Sequence, residues 1–136
     1  MADKTFTLEI VTPRKVVFKG EVESFSAPGV VGGFQVLYNH APLLAEIGIG
    51  EVKLKDMAGS EAFFATSGGF VDVVDNHVTV LAETAEPAQE IDVTRAEAAK
   101  ERASQRLSER QSGIDFDRAR IALARAINRI RIADKR

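Results

Sequence analysis

The 136-residue sequence has no cysteine, which excludes disulfides and thiolate metal sites. No stretch approaches the ~18 consecutive apolar residues of a membrane-spanning helix. The first six residues lack the layout of a signal peptide, so we expect a cytoplasmic location. Phosphate-loop and nucleophile-elbow motifs are also absent, and His40 and His77 lie far apart, so neither a catalytic nor a metal site is predicted.

Glycine and phenylalanine are scarce in the second part of the chain. Nine of ten glycines and seven of eight phenylalanines precede residue 86, whereas the remainder has ten alanines, ten arginines and only Gly113. This contrast predicts an α+β protein, with an N-terminal antiparallel β-sandwich over residues 1–85 and a C-terminal antiparallel two-helix hairpin over residues 86–136. The two parts carry net charges of −5 and +3, so the hairpin can dock on the sandwich or on an acidic partner.

Short alternations of apolar and polar residues, separated by turn residues, predict the strands of the sandwich. Gly20 is expected to end a strand, and Asp75-Asn76 to form a turn. Residues 83–90, which include Pro87, are interpreted as a polar connector. The expected strands are Phe6–Val11, Val16–Phe18, Val22–Ser26, Phe34–Leu37, Glu51–Lys55, Glu61–Thr66, Phe70–Val74 and Val78–Leu81.

Capping residues delimit the two predicted helices. Asp92 and Asp115 are suitable N-caps, although a capping box two residues after Asp92 is an alternative start. Gly113 is a suitable C-cap because it tolerates a left-handed backbone. We therefore expect helices at about 93–111 and about 115–133.

Each predicted helix has an apolar stripe for packing against the other. An alanine methyl contributes only about 0.8 kcal/mol on burial, so we expect the hairpin to dock weakly and to be mobile. The stripes are Ala96, Ala99, Ala103 and Leu107 on the first helix, and Phe116, Ala119, Leu123, Ala126, Ile127 and Ile130 on the second.

Arginines form a second stripe on each helix, beside the apolar one. At about 100° per residue, the three arginines of each stripe lie within about 40° of one another. Guanidinium groups suit phosphate because they donate two parallel charge-assisted bonds. A charged helix surface is more often a solvated face with weak ion pairs, and periodicity leaves both readings open. The stripes are Arg95, Arg102 and Arg106, and Arg118, Arg125 and Arg129.

Four stretches carry a family resemblance: Gly33–Leu44, Ser67–Val71, Val78–Ala82 and Ile91–Ala96. The most specific combination is His40-Ala41-Pro42-Leu43-Leu44 followed by Ile91-Asp92-x-x-Arg95-Ala96 and a helical hairpin. Over essentially its whole length the sequence resembles the epsilon subunit of bacterial F-type ATP synthase.

The resemblance implies a non-catalytic central-stalk subunit, peripheral at the cytoplasmic face of the cell membrane. Its sandwich would bind the gamma subunit and the ring of c subunits, with His40 at the ring. Its hairpin would lie on the sandwich or extend along gamma to the alpha/beta catalytic head, where it blocks ATP hydrolysis. The sequence departs from common family residues at Gly33, Tyr38 and Asn39.

The resemblance also implies that the folded hairpin binds ATP as a regulatory ligand, with no other cofactor and no metal. The matching positions are Glu86, Ile91, Asp92, Arg95, Ala96, Arg102, Arg125 and Arg129.

Other functions remain as alternatives. One alternative is a non-regulatory structural stalk subunit. Another is a basic-hairpin binding module without ATP sensing. A nucleic-acid adaptor is opposed by the overall net charge of −2, so no nucleic-acid partner is expected. A small hydrolase built on the sandwich would lack a nucleophile–base pair.

Overall fold

Within residues 4–109 and 115–135, which the computed structural model describes, nine strands precede two α-helices. The strands are β1 Phe6–Val11, β2 Val16–Ala27, β3 Phe34–Val36, β4 Leu43–Ile47, β5 Gly50–Asp56, β6 Glu61–Thr66, β7 Gly69–Val74, β8 His77–Ala82 and β9 Ala85–Pro87. A short 3-10 turn, Ala88–Glu90, leads to helix α1, Val93–Glu109, and helix α2 is Phe116–Ala133. The predicted fold class, a β-sandwich followed by a two-helix hairpin, is confirmed.

The long strand β2 connects the two layers of the sandwich. Its first half pairs with β1 as far as Val22, and its second half pairs with β5 up to Ser26. The register shifts between Val22 and Ser24, and such a bulge bends a strand. The strand order is β4-β7-β8-β1-β2-β5-β6-β9, with β3 paired to β2, so the sheet folds over on itself at β2.

Three local expectations differ from the structure. Gly20 lies inside β2 and does not end it; a Cβ there would meet the Phe18 ring at 3.3 Å, so glycine serves close packing within the strand. Strand β4 was not predicted, because its sequence lacks a clean alternation. The parallel pairing of β1 with β8 adds one parallel ladder to an otherwise antiparallel sandwich.

The turn between β7 and β8 forms where the sequence predicts it. Asp75 and Asn76 have φ values of 49° and 58°, which suits a tight hairpin turn whose twist matches that of the strands. His77 is already the first residue of β8 and is not part of the turn.

The segment predicted as a polar connector is packed, and that interpretation is wrong. Its residues 85–87 form β9, which pairs with the end of β6. Ala85, Ala88 and Ile91 are buried. The hydrophobic effect therefore holds this segment on the sandwich edge, and Glu86 lies within the sheet.

Side chains from both layers fill the sandwich core. Strand β1 alternates strictly, with Phe6, Leu8 and Ile10 inward, as a half-buried strand should. The largest fully buried side chains of this core are Phe6, Phe25, Leu8, Ile10, Ile47, Val22, Val36, Val52, Val71, Val73 and Val78.

Both predicted N-caps are present. The Asp92 carboxylate accepts a hydrogen bond from the Arg95 amide at 3.0 Å, and the Asp115 carboxylate accepts one from the Arg118 amide at 3.1 Å. The alternative start two residues after Asp92 is not used, because α1 begins at Val93. The predicted C-cap Gly113 and the expected end of the first helix near residue 111 lie outside the described residues.

The seam between α1 and α2 is formed mainly by alanines. Ala96, Ala103, Ala119 and Ala126 are buried, in agreement with the predicted stripes. The larger apolar residues of the α2 stripe lie at its margin, because small side chains bring the two helices close together. Phe116 and Ile127 are each 45% exposed, so these two residues of the predicted stripe are only partly covered.

The C-terminal end of α2 attaches the hairpin to the sandwich. Ile132 and Ala133 are buried in a cluster with Ala65 of β6, Ala88 and Ile91. This cluster is separate from the main core. Helix α1 packs on α2, whereas α2 contacts β5, β6 and the 3-10 turn, so docking depends chiefly on α2.

Two polar contacts accompany this cluster. Asn128 is 4% exposed and its side-chain amide donates to the Gly50 carbonyl at 2.8 Å, while its oxygen accepts from Arg131 at 2.8 Å. Both hydrogen-bonding ends of this buried amide are therefore satisfied.

At the end of the chain, Lys135 pairs with Glu51 at 2.9 Å and lies over the Phe63 ring, 5.1 Å from its centroid. On the same edge, a hydrogen bond from Lys53 and the charge of Lys53 lower the pKa of Glu61.

We predict that Asn128→Ala loosens the docked hairpin by about 1–3 kcal/mol, because the buried Gly50 carbonyl loses its partner. Native-state hydrogen exchange of the α2 amides measures this opening. The matched control is Gln105→Ala on α1, whose exposed side-chain amide donates to Glu109. Equal protection of α2 in the two variants would contradict the assigned role of Asn128.

Candidate anion-binding groove

A groove of about 740 Å³ lies where the sandwich, the start of α1 and the end of α2 meet. Its volume falls within the roughly 300–1,000 Å³ typical of small-molecule sites. Among the described residues that line it, five are cationic and two are acidic. They are Arg14, Lys15, Arg95, Arg125 and Arg129, and Glu83 and Glu86.

Arg129 and Glu86 form a bidentate ion pair in the groove. The Arg129 Nε and Nη2 atoms lie 2.7 and 2.9 Å from the two carboxylate oxygens of Glu86, a bidentate geometry. The side chains are only 27% and 36% exposed. Because Glu86 belongs to β9 and Arg129 to α2, this pair joins the sheet edge directly to the hairpin.

Arg95 and Arg125 supply the unpaired positive charge that the hairpin contributes. Arg95 occupies the first turn of α1, where the Asp92 cap fixes the backbone. Both side chains are exposed toward the groove, and within residues 4–109 and 115–135 neither forms an ion pair. Their charges are therefore available to an anion.

Of the eight residues predicted for ATP, four line this groove: Glu86, Arg95, Arg125 and Arg129. Asp92 is exposed and caps α1, whereas Ile91 and Ala96 are buried. Ile91 packs in the docking cluster, and Ala96 lies in the helix seam. These three residues thus have structural roles in the folded hairpin, and their assignment to ATP remains a prediction.

The remaining residue predicted for ATP, Arg102, lines a second groove farther from the sandwich. That groove measures about 420 Å³ and has an alanine floor between the helices. Arg106, Arg118 and Asp115 also line it. Arg102 and Arg95 share a helix face but are separated by about 10 Å along the axis, since seven residues rise by about 1.5 Å each.

The segment around His40 is tied to the β7–β8 turn. The Asn76 carboxamide accepts from the Asn39 amide at 2.6 Å and donates to the Asn39 side chain at 2.9 Å. Asn39 has a φ of 61°, a conformation that asparagine tolerates, which explains how it replaces a glycine. His40 Nδ1 lies 2.7 Å from the Ala41 carbonyl oxygen and donates to it.

Two kinds of site are not found in the part of the chain that the structure describes. No three His, Asp or Glu side chains converge as metal ligands. Neither helix combines the length and apolar character needed to cross a bilayer.

Comparisons with known proteins agree with this architecture. Residues 5–88 match the model of the ATP synthase delta/epsilon chain beta-sandwich domain, and residues 89–134 match that of its long alpha-helix domain. The ATP synthase epsilon chain of Syntrophomonas wolfei is 48% identical over 99% of this chain and 98% of its own length. That of Desulfitobacterium hafniense strain Y51 is 50% identical over 95% and 96%.

The chain belongs to the epsilon-subunit family of bacterial F-type ATP synthases. Solved structures share its fold at lower identity. One is a chain of the Euglena gracilis mitochondrial ATP synthase OSCP/F1/c-ring structure, with a TM-score of 0.79, 21% identity, and coverage of 100% of this chain and 84% of that one. Another is a chain of the Tetrahymena thermophila central stalk and c-ring structure, with a TM-score of 0.59, 15% identity, and coverage of 99% and 98%.

Several residues of this epsilon-family chain that matter for the groove and its closure were missed from the sequence. In the sequence, Arg14 and Lys15 are simply two basic residues between two strands. Nothing in their local sequence indicates that the hairpin docks beside them. Asn128 could have been noticed as a polar residue four positions before Ile132, on the same helix face.

We predict a coupling free energy of about 1 kcal/mol between Glu86 and Arg129, because the pair is bidentate and partly shielded from water. A double-mutant cycle of Glu86→Gln and Arg129→Gln, measured by thermal unfolding, gives this value. The control cycle uses Asp117 and Arg120, which are 78% and 72% exposed. A coupling no larger than that of the control pair would contradict this role.

Proposed function

We propose that this chain is a central-stalk rotor subunit of F-type ATP synthase, itself non-catalytic, whose hairpin restrains ATP hydrolysis and binds ATP when folded on the sandwich. The observation that carries the ATP part is the groove, in which arginines from both helices face the sandwich edge. The family membership supports the place in the complex.

Phosphate is the anion that this arrangement suits best. Arg95 and Arg125 present planar guanidinium groups from two helices to one volume, beside the Arg129 that pairs with Glu86, and such groups bind phosphate oxygens in pairs. Pro13, Val17 and Ala65 add apolar lining against which a base can lie. No aromatic side chain lines the groove among the described residues, which disfavours a stacking platform for single-stranded nucleic acid.

Regulation of the hairpin position by ATP would follow from the groove having cations on both the hairpin and the sandwich. The groove exists only while α2 lies against β5 and β6, so ATP would bind the folded hairpin better than the extended one. A ligand shifts a two-state equilibrium by its difference in affinity. At a concentration a hundredfold above its dissociation constant, ATP would stabilise the folded state by about 2.7 kcal/mol.

Exposed surfaces of the sandwich support the proposed partners. Phe70, Leu81, Val11 and Val16 stand side by side on neighbouring strands, and all except Val11 are more than half exposed. Such an apolar row is suited to a protein partner, which we propose is gamma. We propose that the loop with His40 meets the c-ring, and that the chain lies peripherally at the cytoplasmic membrane face.

The extended hairpin would present two faces to the complex. Its arginines would meet acidic surface on the alpha/beta head, and the half-exposed Phe116 and Ile127 would pack along gamma. The folded state covers neither of these apolar side chains fully, so they remain available for the second state.

Calorimetric titration of the purified chain with ATP tests the site. We expect binding without phosphate release, and about a tenfold rise in Kd for Arg95→Gln or Arg125→Gln, which is about 1.4 kcal/mol. Arg120→Gln is the matched control, since that arginine pairs with Asp117 outside the groove. Asp92→Ala is less informative, because loss of the cap costs about 1 kcal/mol by itself.

If both groove variants bind ATP as the Arg120→Gln control does, the groove is not the nucleotide site. If the wild-type chain binds no ATP, the alternatives without ATP sensing are favoured.

Truncation after Glu90 tests the inhibitory role in the assembled complex. We expect ATP hydrolysis to rise while assembly is kept, because the shortened chain retains β9 and the whole sandwich. A cut before Glu86 would be a poorer test, since it removes β9 from its pairing with β6. Unchanged hydrolysis in the assembled complex would mean that the hairpin is not the restraint.

A further inference from the structure

One wall of the groove belongs to the sandwich, and it carries two cations that match none of the positions predicted for ATP. Arg14 and Lys15 lie in the turn between β1 and β2 and line the same groove as Arg95, Arg125 and Arg129. An anion in this volume is therefore surrounded by cations of both the sandwich and the hairpin.

The turn that carries these cations is internally hydrogen-bonded. The Thr12 amide donates to the Lys15 carbonyl at 2.9 Å. The Thr12 hydroxyl oxygen accepts from the amides of Arg14 and Lys15, each at 3.3 Å. The strands on either side are paired to each other, so little backbone entropy remains to be lost when a ligand binds.

Among the described residues of the groove, cations outnumber carboxylates. Glu86 is engaged by Arg129, which leaves Glu83 as the other carboxylate in the described lining. Within the described ranges, 4–109 and 115–135, neither Arg14 nor Lys15 forms an ion pair. Collecting like charges in a partly enclosed volume is unfavourable unless an anion joins them.

We propose that Arg14 and Lys15 form the sandwich half of a polyphosphate site, so that the phosphate chain of a bound nucleotide bridges sandwich and hairpin. This inference rests on the proposed function and adds the physical link to docking. Contacts from Arg14 and Lys15 to a ligand of the hairpin can form only while the hairpin is docked. A ligand held from both sides binds the docked state preferentially, and this preference is what shifts the equilibrium.

The test is the double variant Arg14→Gln/Lys15→Gln in the full chain, titrated with ATP and, separately, with inorganic tripolyphosphate. We expect about a tenfold rise in Kd for both ligands, equivalent to about 1.4 kcal/mol. The charge-retaining variant Arg14→Lys/Lys15→Arg should bind nearly as the wild type does. Lys19→Gln is the matched control, because Lys19 is an exposed cation of β2 that faces Glu9 across the strands and does not line the groove.

A distance measurement separates bridging from simple charge attraction. The chain has no cysteine, so spin labels can be placed at Ser60→Cys, in the turn between β5 and β6, and Ser104→Cys, on α1. We expect ATP to narrow the distance distribution in the wild-type background. In the double variant, ATP is added at concentrations that saturate the weaker site. The distance distribution between the labels should then narrow less than in the wild-type background, because the sandwich no longer holds the ligand.

The possible failures are distinguishable. If the double variant binds both ligands as tightly as Lys19→Gln does, the inference is wrong and the proposed ATP site stands on the hairpin arginines. If the wild type binds tripolyphosphate but not ATP, and the double variant loses that binding, the sandwich wall is a polyphosphate site and the proposed nucleotide function is wrong. If the wild type binds neither ligand, both proposals are wrong.

Discussion

The contact between the last turns of α2 and strands β5 and β6 is the constraint on which the folded hairpin depends. It is small: Ile132 and Ala133 enter a cluster of short apolar side chains that is separate from the main core. Burying a few such side chains gives a few kcal/mol at most, since each CH₂ contributes about 0.8 kcal/mol. The buried amide of Asn128 fixes the position of α2 on the sandwich, because its hydrogen bond to the Gly50 carbonyl requires one placement of the helix. A contact of this size keeps the hairpin in place and still permits release.

The groove is a consequence of this docking. Its walls come from the sandwich turn, the start of α1 and the end of α2, so no single element contains it. The Glu86–Arg129 pair joins β9 to the end of α2 without ligand and neutralises one arginine. The other cations remain unneutralised, which makes the closed groove electrostatically costly when empty and favourable when an anion fills it. Under the proposed function, weak apolar attachment and a charged cavity would make the position of the hairpin respond to an anion.

The secondary-structure elements could be predicted from the sequence because they depend on local chemistry. Their placement relative to one another could not be predicted. Asp92 and Asp115 cap helices, and Asp75-Asn76 turns a hairpin, because each acts on neighbouring backbone. Gly20 and the connector before α1 were misread, since their roles come from packing partners distant in sequence. For the groove, helical periodicity predicted that the hairpin arginines share a face. The sandwich wall could not be predicted in this way, because it depends on which strand turn lies beside α2. Four predicted ATP residues line the groove, and the placement of the other four reflects contacts that periodicity does not encode.

The segment Ile91–Ala96 illustrates why a sequence motif can serve structure and ligand together. Ile91 anchors the chain in the docking cluster, Asp92 starts α1, and Ala96 lets α2 approach, so three of its residues set the position of the fourth. Arg95 then projects from a fixed first turn toward the groove. An arginine placed by a cap and a buried anchor loses little backbone freedom when it binds an anion. Under the proposed function, ligand affinity and docking would be coupled through these shared residues, with no separate transmitting element required.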